Sequence, residues 1–186
     1  MKVGLLGGSF DPIHLGHLRA AEVARQELGL DRVIFIPAGN PTHRPALATS
    51  ARDRYAMVAM AVSTQPVFSV TDLELEREGP SYTVDTLAIL NEKHRDDAFF
   101  LILGSDAYAE FGNWYEVGRL RKMAALVVVR RPGSDDPAAE GATLLGEAGL
   151  PISATAIREM VTRGDSPRFL VPSGVADYIA KRGLYR

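Results

Sequence analysis

Near the start of the chain two glycines, a serine and two histidines fall within one short stretch, Gly7-Gly8-Ser9-Phe10-Asp11-Pro12-Ile13-His14-Leu15-Gly16-His17. Gly7 and Gly8 remove side chains where a backbone turns, which lets main-chain N–H groups approach a phosphate closely. Ser9 adds a hydroxyl at the same place. Asp11 followed by Pro12 suits a tight turn or a helix start, and His14 and His17 then project from one side of a helix's first turn. The chemistry that wants this arrangement is attack on a phosphate ester. There, charge on the equatorial oxygens and the leaving group is met by preorganised donors near a positive helix end, with no covalent nucleophile. Two familiar nucleotide modes drop out: no lysine follows the glycines as in a Walker loop, and Gly4, Gly7 and Gly8 have the wrong spacing for Gly-x-Gly-x-x-Gly. One alternative is an ordinary glycine turn with surface histidines. Another is a metal site, which lacks ligands because no glutamate lies between the histidines and the chain has no cysteine.

Positioning such a stretch takes a strand before it and a helix after it. Val3 to Leu6, Val33 to Ile36 and Ala124 to Val129 are apolar runs of strand length that alternate with segments of helical periodicity, so the chain reads as βαβ units. The first helix is predicted over Leu15 to Leu28 with Gly29 as its αL stop, before a strand beginning near Arg32. A second fits Ala51 to Val62, with Tyr55, Val58, Ala59 and Val62 as its buried face. Val67 to Val70 reads as a short strand and Tyr82 to His94 as a helix. Phe99 to Leu103 reads as a strand covered on both faces, because it is apolar throughout. Ala154 to Arg163, with Ser153 as N-cap, and Val175 to Arg182, ended by Gly183, close the chain as helices. Arg131 to Pro137 is polar and turn-rich and reads as a surface loop. The fold class is α/β: a Rossmann-like, doubly wound, mainly parallel sheet with a helical C-terminal portion, built as a single domain over residues 1–186. In such sheets ligands sit beyond the carboxyl ends of the strands, where strand order reverses.

The 186 residues suffice for one core without disulfides or structural metal, and 46% apolar with 24% charged residues is ordinary for a globular protein. A net charge of −2 without a long Lys/Arg run argues against nucleic acid as partner and for small substrates. The apolar start before Asp11-Pro12 is too short for a signal peptide, and no stretch reaches membrane-spanning length, so a cytoplasmic protein without membrane partner is expected. Nothing in the pattern decides between a monomer and a homo-oligomer.

The glycine-histidine stretch resembles the H-x-G-H signature of the nucleotidyltransferase superfamily, which includes cytidylyltransferases and pantetheine-phosphate adenylyltransferase. Ile152-Ser153-Ala154-Thr155-Ala156-Ile157-Arg158 resembles that superfamily's second signature, Ile-Ser-x-Thr-x-Ile-Arg, in the right order along the chain. Ser153 and Thr155 offer hydroxyls and N–H groups at a helix start, and the Arg158 guanidinium can meet the leaving pyrophosphate. Further stretches are similar to bacterial nicotinate-nucleotide adenylyltransferases in particular. Pro37-Ala38-Gly39-Asn40-Pro41-Thr42-His43-Arg44 looks like that family's Pro-Pro-His-Lys/Arg loop, with Thr42 where the family has proline. Ser81-Tyr82-Thr83-Val84-Asp85-Thr86-Leu87 looks like its pyridine-nucleotide segment. Leu103-Gly104-Ser105-Asp106 and then Trp114-Tyr115 look like its Gly-x-Asp and Trp-Tyr elements, and Arg130-Arg131-Pro132-Gly133 like its post-strand turn. The segment between that turn and Ile152 matches nothing and carries no functional reading.

The resemblance implies an adenylyltransferase of NAD biosynthesis that joins ATP and nicotinate mononucleotide to give nicotinate adenine dinucleotide and pyrophosphate, with Mg2+ carried in on ATP. It implies His14, His17 and Arg158 as catalytic. Gly7, Gly8, Ser9, Phe10, Gly16, His43, Gly104, Asp106, Ser153 and Thr155 join these three in contacting ATP. Ser9, Arg44, Thr83, Trp114 and Tyr115 contact the second substrate, whose flat ring is matched by stacking on the only Trp of the chain. Two other readings remain: a superfamily member with a phosphopantetheine or cytidylyl substrate, and an ATP-binding sensor that does not turn over.

Overall fold

The computed structural model describes residues 1–41, 47–77, 79–130, 140–147 and 150–186. Strand β1 (Lys2–Gly8) buries Val3, Gly4, Leu5 and Leu6 in succession, so neither of its faces meets water. β2 (Arg32–Pro37) and β5 (Ala125–Arg130) are buried in the same continuous way, and β4 (Ala98–Gly104) nearly so. Only a sheet covered by helices on both sides places strands like this, and such sheets are parallel. Every pairing is parallel, in the order β3-β2-β1-β4-β5-β6, with β3 (Phe68–Val70) and β6 (Thr143–Glu147) at the edges.

The chain winds outward from β1 to β3, then crosses back to β4 and winds outward the other way. The reversal lies between β1 and β4. Their ladder runs from Lys2–Ala98 to Leu5–Leu101 and stops three residues short of the carboxyl end of each strand. β1 remains paired with β2 to Gly8–Pro37, and β4 with β5 to Gly104–Val129. The two central strands thus part just below Gly8 and Gly104, which opens the crevice where doubly wound sheets bind ligands.

Helices α1 (Leu15–Leu28), α2 (Ala51–Val62), α6 (Ala154–Thr162) and α7 (Ser173–Arg182) share one buried cluster with one face of the sheet, including Phe10, Ile13, Ala24, Met57, Ile157 and Val175. On the other face α3 (Thr83–Lys93) and α5 (Val117–Met123) pack Val84, Leu87, Leu90 and Leu120 against Val3, Leu5, Leu101 and Leu126. Both C-terminal helices therefore belong to the same core as β1 and α1.

Most predicted bounds agree to within a residue or two. α1 ends at Gly29, whose φ of 60° is the left-handed stop the sequence suggests. α2 begins at Ser50, whose hydroxyl accepts from the Asp53 N–H at 3.1 Å. Three differences carry a physical reason. The buried face of α2 is Arg54, Met57, Val58, Ala61 and Val62 with Asp53, in place of the predicted Tyr55, Val58, Ala59 and Val62. The rotation is permitted because Asp53 and Arg54 both find partners in the interior. α4 (Ser105–Ala109) and α5, separated by a 3-10 turn over Phe111–Asn113, are too short to show a helical period. β6 lies in the segment that resembles no family element: of residues 143–146 only Leu145 is buried, as an edge strand permits, and the Glu27 carboxylate accepts from the Gly146 N–H. The predicted surface loop at Arg131 to Pro137 lies outside the described residues.

Candidate active site

Gly7 and Gly8 end β1 at the mouth of the crevice, and the Ala38 N–H donates to the Gly8 carbonyl at 2.9 Å, tying the loop after β2 to the one after β1. Phe10 follows with φ 49°, and this left-handed turn sends its ring into the core at 2% exposure, edge-on to His17 with centroids 5.1 Å apart. What Phe10 can offer a nucleotide is its backbone. Asp11, 3% exposed, has its carboxylate filled from three directions: the Ala48 N–H at 2.7 Å, the Thr49 hydroxyl at 2.6 Å and the Tyr185 hydroxyl at 2.7 Å. The one carboxylate inside the signature is thereby committed to holding the turn.

His14 is the N-cap of α1 and is buried, while His17 stands in the first turn. The rings stack with centroids 3.7 Å apart and planes 25° from parallel. The His14 N–H donates to Nδ1 of His17 at 3.2 Å. A neutral imidazole that accepts at Nδ1 carries its proton on Nε2, so in the neutral ring of His17 the donor nitrogen is Nε2. Gly16 packs closely on His14: a Cβ there would lie 3.0 Å from its Nδ1, tighter than ordinary contact.

The second signature meets the first. Ser153 caps α6, its hydroxyl accepting from the Ala156 N–H at 3.2 Å. From the next turn of α6 Arg158 donates through Nη1 to the Asp11 carbonyl at 2.8 Å and through Nη2 to the Thr155 hydroxyl at 3.2 Å. A guanidinium is thus anchored on the turn that leads into the histidine pair and the positive end of α1, where negative charge is favoured. Across the crevice Gly104 is the N-cap of α4 and Asp106 lies exposed in its first turn.

The residues expected to meet the second substrate gather beyond β2. Ser81 and Asn40 bond reciprocally: the Ser81 N–H donates to the Asn40 carbonyl, and the Asn40 N–H to the Ser81 hydroxyl, both at 2.9 Å. Thr83 opens α3 directly after Tyr82, its N-cap. The Tyr115 ring, 51% exposed, lies 4.5 Å from that of Tyr82, so the Trp-Tyr element reaches the start of α3. Trp114 is half-buried against Phe111 at 5.3 Å, combining core packing with a partly open face. Buried behind them, Glu74 accepts from the Thr86 hydroxyl at 2.8 Å, and burial pushes its carboxyl above the usual carboxylate range. His43 and Arg44 lie outside the described residues.

The structure thus gathers Gly7 to His17 with Ser153, Thr155 and Arg158 into one cluster. It sets Gly104 at the end of the facing strand and Asp106 in the first turn of α4, and brings Tyr115 to the start of α3 beside Thr83, with Trp114 next to it in the chain against Phe111. Three contributors are given no role by the sequence reading: Tyr82, Tyr185 and Arg54. Arg54 carries a signal, an arginine in phase with Met57, Val58 and Ala61, but the apolar periodicity points to the face through Tyr55 instead. Among the described residues no three His, Cys, Asp or Glu side chains are placed to hold a metal ion, and no helix is long and apolar enough to cross a membrane.

Residues 5–160 match the family described as cytidylyltransferase-like. A probable nicotinate-nucleotide adenylyltransferase of Thermus thermophilus is 47% identical over 189 residues, covering 100% of both chains. Its namesake in Syntrophotalea carbinolica is 43% identical over 213 residues, covering 100% of this chain and 98% of that one. Among solved structures, a Plasmodium falciparum nicotinic acid mononucleotide adenylyltransferase complexed with NaAD superimposes with a TM-score of 0.83 at 21% identity. That match covers 99% of this chain and 97% of the other, a likeness of fold. With both signatures converging on one crevice and full-length relatives at this identity, the chain belongs to the cytidylyltransferase-like nucleotidyltransferases and, within them, to the nicotinate-nucleotide adenylyltransferase family.

Proposed function

We infer that this protein joins ATP and nicotinate mononucleotide into nicotinate adenine dinucleotide and pyrophosphate, a step of NAD biosynthesis. The observation that carries the reading is the anchoring of Arg158 on the carbonyl of Asp11, in the turn that leads to the stacked His14–His17 pair at the start of α1, after the first strand of the switch point. A 5′-phosphate oxygen of the mononucleotide attacks the α-phosphorus of ATP in line. The new P–O–P bond forms as the bond from the α-phosphorus to the α,β-bridging oxygen breaks, and that oxygen leaves with pyrophosphate. No residue of the chain is covalently modified, so catalysis is positioning and charge stabilisation.

In this reading His14, His17 and Arg158 meet the charge on the α-phosphate and the leaving group. Gly7, Gly8, the Phe10 backbone and Gly16 fit the nucleotide, and Ser153, Thr155, His43, Gly104 and Asp106 line its path. Ser9 and Arg44 place the attacking phosphate, and Thr83, Trp114 and Tyr115 take the pyridine ring. Magnesium fits as an ion delivered on the triphosphate: the Asp11 carboxylate is spent on Ala48, Thr49 and Tyr185, and Mg2+ commonly stays with phosphates and waters. When bound, it neutralises phosphate charge. N–H groups opening α3 favour the carboxylate of nicotinate over the amide of nicotinamide. NaAD, the dinucleotide in complex with the Plasmodium falciparum protein, is the product this reaction forms. We place the reaction in the cytoplasm, with its ATP supply.

Pyrophosphate release with ATP and magnesium, compared across nicotinate mononucleotide, nicotinamide mononucleotide and phosphopantetheine, tests the assignment. Release favouring the nicotinate substrate by about tenfold or more is expected. Equal rates with both pyridine nucleotides would remove the role given to the start of α3. Release with phosphopantetheine alone would transfer the protein to another branch of the superfamily, and ATP binding without release from any acceptor would make it a sensor.

A further inference from the structure

The bulkiest fully buried side chain among the described residues is a charged one: Arg54 on α2 is 1% exposed and has no role in the chemistry above. Its guanidinium donates through Nη1 to the Ser9 carbonyl at 2.8 Å and through Nη2 to the Gly39 carbonyl at 3.2 Å. Ser9 follows β1 and Gly39 follows β2, neighbouring strands whose last pair is Gly8–Pro37. One rigid fork therefore bridges the turns that leave two strands of the sheet. Burying a guanidinium is costly unless it is paired, and burial pulls its pKa down while Asp11, Tyr185 and Glu74 act against that shift. An apolar residue could fill this volume without that cost. What it could not do is hold two carbonyls at a set separation, which is the particular capacity of the planar guanidinium.

The second turn continues the chain of contacts. A Cβ on Gly39 would collide with the Glu74 carbonyl and lie 3.2 Å from the Ser81 hydroxyl. Asn40 then exchanges its two hydrogen bonds with Ser81. A displacement of the Gly39 turn is thus passed to the start of α3, where the second substrate is held.

We propose that Arg54 is a positioning residue for adenylyl transfer: its fork sets the spacing between the turn after β1, where Gly8 and Phe10 fit ATP and Ser9 meets the attacking phosphate, and the Gly39–Ser81 framework of the mononucleotide half-site, and so aligns that phosphate with the α-phosphorus. The proposal rests on the reaction assigned above. Arg54 touches neither substrate. Its loss leaves each half-site able to bind and spoils their relative placement, so the effect falls on the step that needs both.

Arg54→Lys tests this, because lysine keeps a buried cation near Asp11 and Glu74 but cannot span both carbonyls in one plane. Turnover at saturating ATP and nicotinate mononucleotide is expected to fall about 10- to 100-fold, since a displacement near 1 Å costs of that order. Binary dissociation constants for a non-hydrolysable ATP analogue and for nicotinate mononucleotide, by calorimetry, stay within about threefold. Arg54→Met fills much of the same buried volume without a donor to either carbonyl, is expected to give the same split, and carries the test if Arg54→Lys does not fold. Unchanged turnover per folded molecule overturns the proposal, and so does a turnover loss matched by weakened binding of one substrate. Should the wild-type protein release no pyrophosphate, the reaction assignment falls. Amide exchange then decides for the strut: faster exchange in residues 8–12 and 38–41 together in Arg54→Lys sustains it, whereas faster exchange in one segment or neither removes it.

Discussion

His17 has two distinct ring nitrogens: Nδ1 accepts from the His14 N–H, so in the neutral ring Nε2 carries the proton. Mutation separates the two. Asparagine keeps an oxygen near the position of Nδ1 and has nothing in the place of Nε2, whereas alanine removes both. We expect His17→Ala and His17→Asn each to lower turnover on the order of 10²- to 10³-fold, the usual loss of a positioned transition-state donor. Only the alanine variant should also lose stability, by about 1 kcal/mol, as a broken helix cap does. Steady-state pyrophosphate release and thermal melts check both, and recovery of turnover in His17→Asn would show that the ring serves only as a cap. The chemical character of this residue was legible in the sequence, because spacing of three on a helix start is local information. Phe10 was legible by motif but not by direction: its left-handed φ turns the ring inward, and only the folded backbone shows that.

At the scale of elements, α2 and α7 are joined by one carboxylate. Asp53 accepts from the Ser50 hydroxyl at 2.6 Å, the Tyr178 hydroxyl at 2.9 Å and Nε of Arg182 at 3.3 Å. The Ser50 hydrogen bond first, and then Tyr178 and Arg182, hold its carboxyl below the usual aspartate range despite partial burial. A carboxyl whose pKa is depressed on folding contributes stability above its unfolded value, near 3.9, and loses it as pH falls through the folded value. The melting temperature should therefore fall below about pH 4, and Asp53→Asn should flatten this acid limb. At neutral pH the variant should be less stable by on the order of 1–2 kcal/mol, as for a lost charge-assisted hydrogen bond. Melts from pH 2 to 8 test both statements, and an identical acid limb in the variant would assign it to other groups. The bounds of α1 and α2 were readable because Gly29 and Ser50 act within one turn. The face of α2 was not, since Asp53 and Arg54 become acceptable inside only when α7 and two strand-end turns supply their partners.

Across the whole molecule, Tyr185 reaches back 174 residues to donate to Asp11 while its own carbonyl accepts from the Thr162 hydroxyl at 2.8 Å. Burial, and then the bond to Asp11, push the phenol pKa well up, so the group remains a neutral donor across the physiological range. Tyr185→Phe keeps the ring and removes the donor, leaving Asp11 with two hydrogen bonds. We expect a loss of about 1–3 kcal/mol, read as a melting temperature lower by several degrees. An unchanged melt would mean that water replaces the hydroxyl at no cost.

The sequence by itself determined the parallel sheet, the ends of the longer helices and the types of group at both signatures, because apolar runs, caps and glycine turns act over one strand or one helical turn. It left α4 and α5 unreadable, since five and seven residues hold too little helical period to detect, and β6 because only Leu145 of residues 143–146 is buried and no apolar run marks it. Only the tertiary structure decided that the β1–β4 ladder stops at Leu5–Leu101, that Arg158 finds Asp11 across 147 residues, and that Arg54 joins two strand ends. These meetings depend on strand order and on which polar groups burial leaves in need of a partner, and both exist only once the sheet has closed over its helices.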